Sequence, residues 1–333
     1  MVYLPAPSWA AIAAWCAALA LVPYLGGGRR WIRGTALACL GLAIGLSVWP
    51  WVRPSDGRLR VTFLDVGQGD SILVELPEGP RLLVDGGPAG GNRLDVGERV
   101  LAPFLWNRPA ARLDAVALSH PDSDHSGGLR AVLTRFRVRE FWENGRWISG
   151  TEDTLRARGA LRRLPAHPRG GAAALARVGA AHRPQPRRDA STGRAAALWT
   201  ERGVAGAAAR LARVSLLLTG DLGAPGEEHL LASRAPVRSL VLKVGHHGSR
   251  YSSTGDFLEA TRALLAVISV GARNSFGHPT PEALGRLEAA QARIYRTDRD
   301  GAVMLETDGR TLWITRWASG AVDRFDLDPE REP

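Results

Sequence analysis

The sequence predicts an α/β protein in which mixed β-sheets are covered by helices, preceded by a hairpin of two membrane-spanning helices. Two observations carry this prediction. The chain opens with two long runs that contain no charged residue, and after them short apolar strands alternate with turns and helix-like stretches. A third observation concerns chemistry, because three of these strands run directly into clusters of His and Asp.

The two charge-free runs cover residues 8–25 and 34–52 and contain 18 and 19 residues, close to the roughly 20 that a helix needs to cross the hydrocarbon layer. Glycines and arginines occupy the turn between them, and Trp49 and Trp51 suit an interfacial aromatic belt. We therefore expect two transmembrane helices within a first domain, residues 1–53. A cleaved signal peptide is disfavoured because the chain begins without a basic segment.

The orientation of this hairpin stays open on the arginine count. The three arginines of the turn favour a cytoplasmic turn, with the start of the chain and the large C-terminal part outside. Three arginines that follow the second run favour the opposite orientation with equal weight. The first set is Arg29, Arg30 and Arg33, and the second is Arg53, Arg58 and Arg60.

Composition restricts the class of protein and the chemistry of any metal site. Hydrophobic residues make up 45% and charged residues 23%, which excludes a transporter buried wholly in the membrane. The net charge of +10 is carried almost entirely by arginine, with Lys243 the sole lysine. This positive charge favours an anionic partner such as nucleic acid or a phospholipid surface. A compositional bias towards Ala, Gly and Arg explains the charge equally well. Both cysteines, Cys16 and Cys39, lie in the apolar start, so a metal elsewhere must be held by His and carboxylate.

The remaining residues, 54–333, form the second predicted domain. The segment 154–194 contains ten arginines with several Pro and Gly, which predicts a loop-rich insertion, either a solvated surface or a flank that contacts phosphate. Outside it, apolar runs bounded by turn residues predict strands. They are expected at 61–64, 71–76, 81–84, 115–118, 214–218, 240–244 and 266–270.

The most informative stretch is 119–128, which holds two imidazoles and two carboxylates within six residues, followed by two glycines. His and Asp ligands suit zinc, manganese or iron, and their alternation spreads them over two facing metal positions. The repulsion between the two neighbouring carboxylates also needs an ion or solvent to offset it. The four residues are His120, Asp122, Asp124 and His125.

Two further strands end in polar groups of the same kind. Asp221 follows the predicted strand 214–218, and His246 and His247 follow 240–244. A lone Asp at a strand end often serves only as a cap, but loops at strand ends are also where binding sites are commonly built. Together with the first cluster they predict one shared metal site. A late histidine, His278, lies in the turn 274–279.

These motifs resemble those of a known family. His-Pro-Asp-Ser-Asp-His at 120–125, Leu-Leu-Thr-Gly-Asp ending at 221 and Lys-Val-Gly-His-His-Gly-Ser starting at 243 resemble the metallo-β-lactamase superfamily. Leu-Asp-Val-Gly-Gln-Gly-Asp-Ser at 64–71 and Leu-Val-Asp-Gly-Gly at 83–87 narrow the likeness to the C-terminal domain of ComEC-type competence proteins, the DNA-uptake channels of bacterial transformation. The resemblance covers about residues 60 to 320, and the two apolar runs correspond to the end of that family's channel.

The resemblance implies an αββα sandwich with a dinuclear site between the sheet edges, holding one or two divalent ions, zinc or manganese. His120 and Asp122 would hold one ion and Asp124, His125 and His247 the other, with Asp221 bridging. Asp124 would orient the nucleophile, while His246 or His278 would contact the phosphate or donate to the leaving oxygen; exchanged roles for His246 and His247 stay open. Residues around these would support the site or form its rim: Asp65, Asp70, Asp85, Lys243, Ser249 and Asn274.

The resemblance further implies a metal-dependent phosphodiesterase or nuclease that acts on DNA, without sequence preference, during competence-linked uptake. We expect a multi-pass protein of the bacterial cytoplasmic membrane with its hydrolase domain outside the cytoplasm. The family's channel has many spans, whereas two are predicted here. We therefore expect a fragment or a split-gene product, with a separate channel subunit as partner. Two alternatives stay open: a phosphodiesterase acting on a polymer other than nucleic acid, and an inactive module that guides DNA.

One departure from the superfamily pattern bears on the first metal position. The usual third histidine, between the first cluster and Asp221, has no clear equivalent, and residues 188–191 stand where the competence-type motif is expected. His167 and His182 lie nearby in the arginine-rich segment. We therefore expect this position to bind weakly, to be absent or to be completed by water.

Overall fold

The computed structural model describes residues 7–25, 30–52, 56–77, 79–88, 95–108, 112–143, 161–163, 194–199, 205–211 and 214–327. They group into two compact units, one of residues 1–55 and 102–111 and the other of residues 56–101 and 112–333. Most of the predicted insertion 154–194 lies outside the described residues, as do His167, His182 and residues 188–191.

The first unit contains two packed helices, α1 (Trp9–Leu21) and α2 (Arg30–Val52), together with the short α3 (Ala102–Asn107). Helix α1 begins at Ser8, whose Oγ accepts a hydrogen bond from the Ala11 amide. The indole Nε1 of Trp15 in α1 donates to Ser47 Oγ in α2 at 3.3 Å. Small side chains on the buried faces let helices approach closely; they are Ala11, Ala14 and Ala18 of α1 and Ala36 and Ala43 of α2.

The two helices differ in their ability to span a membrane. Among the described helices, α2 is long and apolar enough to cross one, over Arg30–Trp49, as expected for residues 34–52. Helix α1 is shorter than a full span, because the chain leaves the α-helix at Val22–Tyr24, where Pro23 cannot donate the next backbone hydrogen bond. Of the two expected spans, the described helices thus support the second, and the first stays a prediction for the shorter apolar helix Trp9–Tyr24.

The second unit is built on two β-sheets with helices between the strands. The strands are β1 (Leu59–Phe63), β2 (Ile72–Glu75), β3 (Arg81–Val84), β4 (Arg112–Ala117), β5 (Arg137–Glu143), β6 (Leu161–Arg163), β7 (Arg194–Trp199), β8 (Ala205–Leu211), β9 (Val214–Leu218), β10 (Val241–Lys243), β11 (Leu265–Ile268), β12 (Arg293–Arg296), β13 (Val303–Thr307), β14 (Thr311–Arg316) and β15 (Val322–Asp326). The helices are α4 (Ser123–Ser126), α5 (Leu129–Arg135), α6 (Ala224–Ala232), α7 (Gly255–Thr261), α8 (Pro281–Ala289) and α9 (Thr297–Asp300).

Both sheets are mixed, as the sequence predicts. One has the strand order β15-β14-β13-β1-β2-β3-β4-β5-β6 and the other β12-β11-β10-β9-β8-β7. Strands β3 to β6 run parallel in the first sheet and β9 to β12 run parallel in the second. The remaining neighbours are antiparallel, so each sheet carries one parallel block whose strands end at a common edge.

The core lies between the two sheets, with a second apolar layer behind the smaller one. Leu216 and Leu218 of β9 pack into the inter-sheet core with Phe63 of β1. The intervening Leu217 points to the other side and packs with Phe257 of α7 and other helix residues. Because successive strand residues face opposite sides, a strand buried on both faces reads as an unbroken apolar run.

Close backbone approaches hold the loops at one end of the larger sheet. The amide of Gly86, just after β3, donates to the carbonyl of His125 at 2.6 Å. A Cβ at Gly86 would lie 2.6 Å from the backbone nitrogen of Leu129. Gly69 is equally confined, since a Cβ there would lie 2.2 Å from the carbonyl oxygen of Asp124. The segments 64–71 and 84–87 are thus fixed against the segment 122–129.

This packing predicts opposite effects for the same substitution at two glycines. Gly86→Ala should lower the free energy of unfolding by about 1–3 kcal/mol, because the added methyl meets fixed backbone. Gly285→Ala should raise it by up to about 1 kcal/mol, because Gly285 is an exposed position within α8 with open space around its Cβ. Urea unfolding of the full chain in detergent measures both, and a neutral Gly86→Ala variant would contradict the packing described.

Candidate metal centre

His125 is aimed by a buried carboxylate. Helix α4 follows β4 and carries His125, which is fully buried. Its Nδ1 donates to Asp85 Oδ2 at 2.8 Å. Asp85 also accepts from the Ser119 amide at 2.7 Å and the Ser119 hydroxyl at 2.6 Å. Since Nδ1 is turned to Asp85, Nε2 is the ring nitrogen that faces the other side, as in carboxylate–histidine–metal arrangements.

His247 is aimed by a backbone carbonyl. Strand β10 ends at Lys243, and the following turn holds His246 and His247 in the left-handed region, with φ of +46° and +54°. Such a conformation is unfavourable for residues other than glycine and persists only when the surroundings impose it. The Nδ1 of His247 donates to the carbonyl of Ser269 at 2.8 Å. Its Nε2 therefore also faces away from that contact, towards Asp221 and Asp124.

Four ligand atoms from three loops meet at one point. They are His125 Nε2, His247 Nε2, Asp124 Oδ2 and Asp221 Oδ1, all within 4.8 Å of one another. Asp221 Oδ1 lies 3.2 Å from His125 Nε2 and 3.4 Å from His247 Nε2. Asp124 Oδ2 lies 3.5 Å from His247 Nε2 and 3.9 Å from His125 Nε2. Ligands of a tetrahedral zinc ion are separated by about 3.4 Å at ordinary bond lengths, so the spacing fits a metal ion.

Polar atoms without hydrogen-bond partners also support a metal site here. His125 Nε2, His247 Nε2 and Asp221 Oδ1 are buried and make no hydrogen bond of acceptable geometry within the described part of the chain. A buried polar atom without a partner costs about 1–3 kcal/mol, and here three such atoms face one another. A divalent cation would satisfy all three. Imidazole and carboxylate ligands without thiolate suit zinc or manganese.

The two oxygens of Asp221 face two different groups. While Oδ1 faces His125 and His247, Oδ2 lies 3.8 Å from His120 Nε2 and 3.8 Å from His246 Nε2. His120 Nε2 in turn lies 3.3 Å from Asp122 Oδ2, whose side chain is 71% exposed. A bridging Asp221 and a second, more open metal position at His120 and Asp122 stay predictions that this geometry permits.

The charges of the cluster shift one another's pKa values. Burial alone would raise the pKa of the Asp221 carboxyl, but the facing imidazole of His125, helped by His247 and Lys243, holds it well below its usual range. Burial would lower the pKa of His125, but the carboxylates of Asp85 and Asp221 raise it well above its usual range. Burial and the nearby His125 lower the pKa of His120. The Asp221 carboxylate therefore stays ionised at neutral pH and attracts cations.

The sole lysine of the chain lies beneath this centre. Lys243 is fully buried, and its Nζ donates to the carbonyl of Gly220 at 2.8 Å and forms an ion pair with Asp70. Burial would raise the pKa of Asp70, but Lys243 and the neighbouring imidazoles lower it. Asp70 was expected at the rim together with Asp65, yet it is 1% exposed; its partner Lys243 draws it inward. The pair ties the segment 64–71 to the loop that carries Asp221.

The other predicted residues lie around the cluster. Asp65 is exposed, and its Oδ1 accepts from the Gly67 amide at 3.2 Å. Ser249 is buried after the two histidines, and its Oγ accepts from the Tyr251 amide. His246 has a 47% exposed side chain, and its ring lies 5.7 Å from that of His278. Burial and the nearby His246 lower the pKa of His278.

Two supporting residues were not among the predicted set. Ser119 donates to Asp85, and its Oγ lies 3.0 Å from His120 Nδ1, so it links the first histidine to the carboxylate that aims the second. Its position next to His120 was the available signal. Ser269 supplies its backbone carbonyl to His247, which no side-chain pattern reveals. Residues 188–191, His167 and His182, on which completion of the first metal position depended, lie outside the described residues.

Comparisons with known proteins give relatives of this chain in sequence and in structure. The sequence matches the Metallo-beta-lactamase superfamily over residues 64–190. ComE operon protein 3 of Bacillus subtilis (strain 168) is 28% identical over 290 residues, covering 82% of this chain and 36% of that protein. Competence protein ComA of Neisseria gonorrhoeae is 34% identical over 305 residues, covering 86% of this chain and 37% of that protein. The chain thus spans little more than a third of the length of these curated relatives.

Among solved structures, the metallo-beta-lactamase fold protein YhfI from Bacillus subtilis aligns with 76% of this chain and 100% of its own. The TM-score is 0.46 and the identity 14%.

The hydrogen bond from His125 to Asp85 predicts an effect on metal affinity. Asp85→Asn keeps the size of the side chain but removes its charge and replaces one acceptor oxygen by a donor. Affinity for zinc should fall by about 10- to 100-fold, as is usual when the partner of a metal-binding histidine is lost. Competition with a chelating dye measures this. Asp256→Asn, at an exposed carboxylate of α7, is the matched control and should leave the affinity unchanged; equal affinities for both variants would refute the role given to Asp85.

The buried ion pair predicts a non-additive effect on stability. Lys243→Met leaves the Asp70 carboxylate buried without its cation and should lower the free energy of unfolding by about 3–5 kcal/mol. Removing both charges, in Lys243→Met with Asp70→Asn, should cost less than the sum of the two single changes. Urea unfolding of the four proteins in detergent gives the coupling. Strict additivity would mean that the two side chains do not act as a pair.

Proposed function

We propose that this chain is a membrane-anchored, metal-dependent phosphodiesterase that cleaves DNA during uptake. Two findings support the proposal: the match to the metallo-β-lactamase superfamily, and the similarity over most of this chain to competence proteins. The observation that carries the proposal is the convergence of Asp124, His125, Asp221 and His247 from three separate loops. A cluster with three unsatisfied buried ligand atoms has little structural purpose without a cation.

The proposed chemistry is hydrolysis of a phosphodiester bond. Divalent ions held by this cluster, together with His120 and Asp122, would supply a bound water of lowered pKa and positive charge for the phosphoryl oxygens. The protein's own contribution is rigidity. Asp85 and the Ser269 carbonyl fix the tautomers of His125 and His247, so that both rings keep Nε2 available for binding without rearrangement.

Two histidines on the solvent side are the candidates for contact with substrate. His246 is half-exposed and its Nε2 lies 3.8 Å from Asp221 Oδ2, so the ring lies between the cluster and solvent. His278 packs edge-on against it. We assign them hydrogen bonding to the phosphate or proton donation to the leaving oxygen. Asp124, whose side chain is 30% exposed, would orient the attacking water.

The charge of the protein supports a nucleic-acid substrate. The net charge of +10 is nearly all arginine, and arginine binds backbone phosphates without reading sequence. Helix α2 supports a membrane anchor by its length and composition. We further propose that the domain works beside a channel, outside the cytoplasm, with the channel supplied by additional chain or by a separate subunit.

Removal of central ligands tests the proposal. In the full chain purified in detergent, Asp221→Ala and His247→Ala should each lower DNA cleavage by about 10³-fold or more, because the ligands act as one unit. His229→Ala, at an exposed histidine of α6, is the matched control and should cleave like the wild type. Plasmid cleavage and metal analysis measure both effects.

Other outcomes of the same assays point away from DNA cleavage. Hydrolysis of bis-p-nitrophenyl phosphate without cleavage of DNA would favour a phosphodiesterase for a different polymer. A metal-free protein that binds DNA but cleaves neither substrate would favour an inactive guiding module. Wild-type cleavage by both central variants would overturn the assignment of the centre.

A further inference from the structure

The loop between β11 and α8 presents an aromatic ring beside the candidate centre. Phe276 is 66% exposed, and its ring stacks on that of His278, with centroids 5.8 Å apart and planes inclined by 26°. His278 in turn lies 5.7 Å from His246, whose Nε2 is 3.8 Å from Asp221 Oδ2. A continuous row of rings therefore runs from the solvent-exposed Phe276 to the carboxylate of the centre.

The exposed ring is held by a well-organised loop. Asn274 uses both ends of its amide: Nδ2 donates to the carbonyls of Gly271 at 2.8 Å and His278 at 2.7 Å. Its Oδ1 accepts from the amides of Phe276 at 3.2 Å and His278 at 2.9 Å. Gly277 completes the turn with a φ of +70°. Phe276 is thus kept in solvent by a turn that the Asn274 side chain holds together.

The base of the loop is anchored on both sides. The Gly271 amide donates to Gln68 Oε1 at 3.2 Å, and the Thr280 amide donates to the carbonyl of Gly248 at 2.9 Å. These bonds connect the loop to the segment 64–71 and to the turn that carries His246 and His247. Its position is therefore fixed to the same elements as the centre, which a binding subsite requires.

We propose that Phe276 and His278 form a stacking subsite for an unpaired nucleobase of the strand whose phosphate is bound at the centre. The inference rests on the proposed function and names the part of the substrate that this site recognises. A flat, exposed aromatic pair offers its face to any base, because every base has a π-face, and contributes affinity without sequence preference. A base inside a duplex is stacked on its neighbours and cannot use the platform, so the site requires a strand with exposed bases.

The flanking charges favour a nucleotide over an uncharged ligand. Arg250 directly follows the turn of the two histidines, and Arg273 lies within the loop itself; both are exposed. Guanidinium groups in the neighbourhood of an aromatic platform suit a base whose adjoining phosphates are anionic. A peptide helix or a lipid chain would need an extended apolar groove. The surface here is instead a single stacked pair of rings.

Binding of a fluorescent oligonucleotide tests the subsite without relying on catalysis. A short single strand with phosphorothioate linkages and one 2-aminopurine base reports stacking by quenching, and its titration with the full chain in detergent gives a dissociation constant. Phe276→Ala should weaken binding by about tenfold and remove the quenching, the effect of losing one base–aromatic stack. Phe276→Trp should keep both the affinity and the quenching of the wild type. Leu264→Ala, at an exposed apolar residue before β11, is the control and should bind like the wild type.

An abasic oligonucleotide separates stacking from other effects. Wild type and Phe276→Ala should bind a strand without the base equally, since only the base uses the platform. The inference is overturned if Phe276→Ala binds the base-bearing strand like the wild type, or if it weakens both strands alike. Its failure is distinct from that of the proposed function: DNA cleavage with unchanged binding by Phe276→Ala removes the subsite alone, whereas base-dependent binding without any cleavage removes the nuclease alone.

Discussion

The largely buried carboxylate of Asp221, whose side chain is 14% exposed, is the group on which the rest of the site depends. Its two oxygens face four imidazoles, His125 and His247 on one side and His120 and His246 on the other. A buried negative charge is unfavourable unless cations or hydrogen bonds surround it. The parallel pairing of β9 with β10 brings Asp221 and the two later histidines to one sheet edge. Lys243 then fixes the backbone next to Asp221 through the carbonyl of Gly220.

The backbone around the centre is held in conformations that it would not adopt alone. His246 and His247 both have positive φ values, and such strain persists only where surrounding structure over-determines it. Close contacts supply that structure: Gly245 lies against the Leu222 carbonyl, and Gly248 against Pro279. The two sheets pack through a continuous apolar core, so the loops at their ends are positioned by the most rigid part of the domain. Rigid placement of ligands is what a preorganised metal centre requires.

The sequence predicted the mixed sheets and the grouping of the His and Asp motifs, because apolar strands and polar loop ends are local patterns. The connections between motifs were not predictable in the same way. Asp85 and His125 are separated by 40 positions, and their hydrogen bond follows from the pairing of β3 with β4. Asp70 reads as one of two acidic residues in a glycine-rich loop, but its burial depends on Lys243, far along the chain. The length of α1 was not predictable either, because an apolar run gives composition, whereas the end of the helix at Pro23 depends on backbone hydrogen bonding.

Burial divides the site into an inner part and an outer part with different physical demands. The inner part, His125, His247 and Asp70, is almost inaccessible to solvent, which strengthens electrostatic interactions and keeps the ligands in one geometry. The outer part, His246, Phe276 and His278, lies at or near the surface, where groups can exchange water for substrate. Asn274 belongs to neither function directly, yet its four hydrogen bonds hold the outer rings in register with the inner carboxylate. Under the proposed function, changes in the inner part would act on metal binding, and changes in the outer part would act on contacts with the substrate.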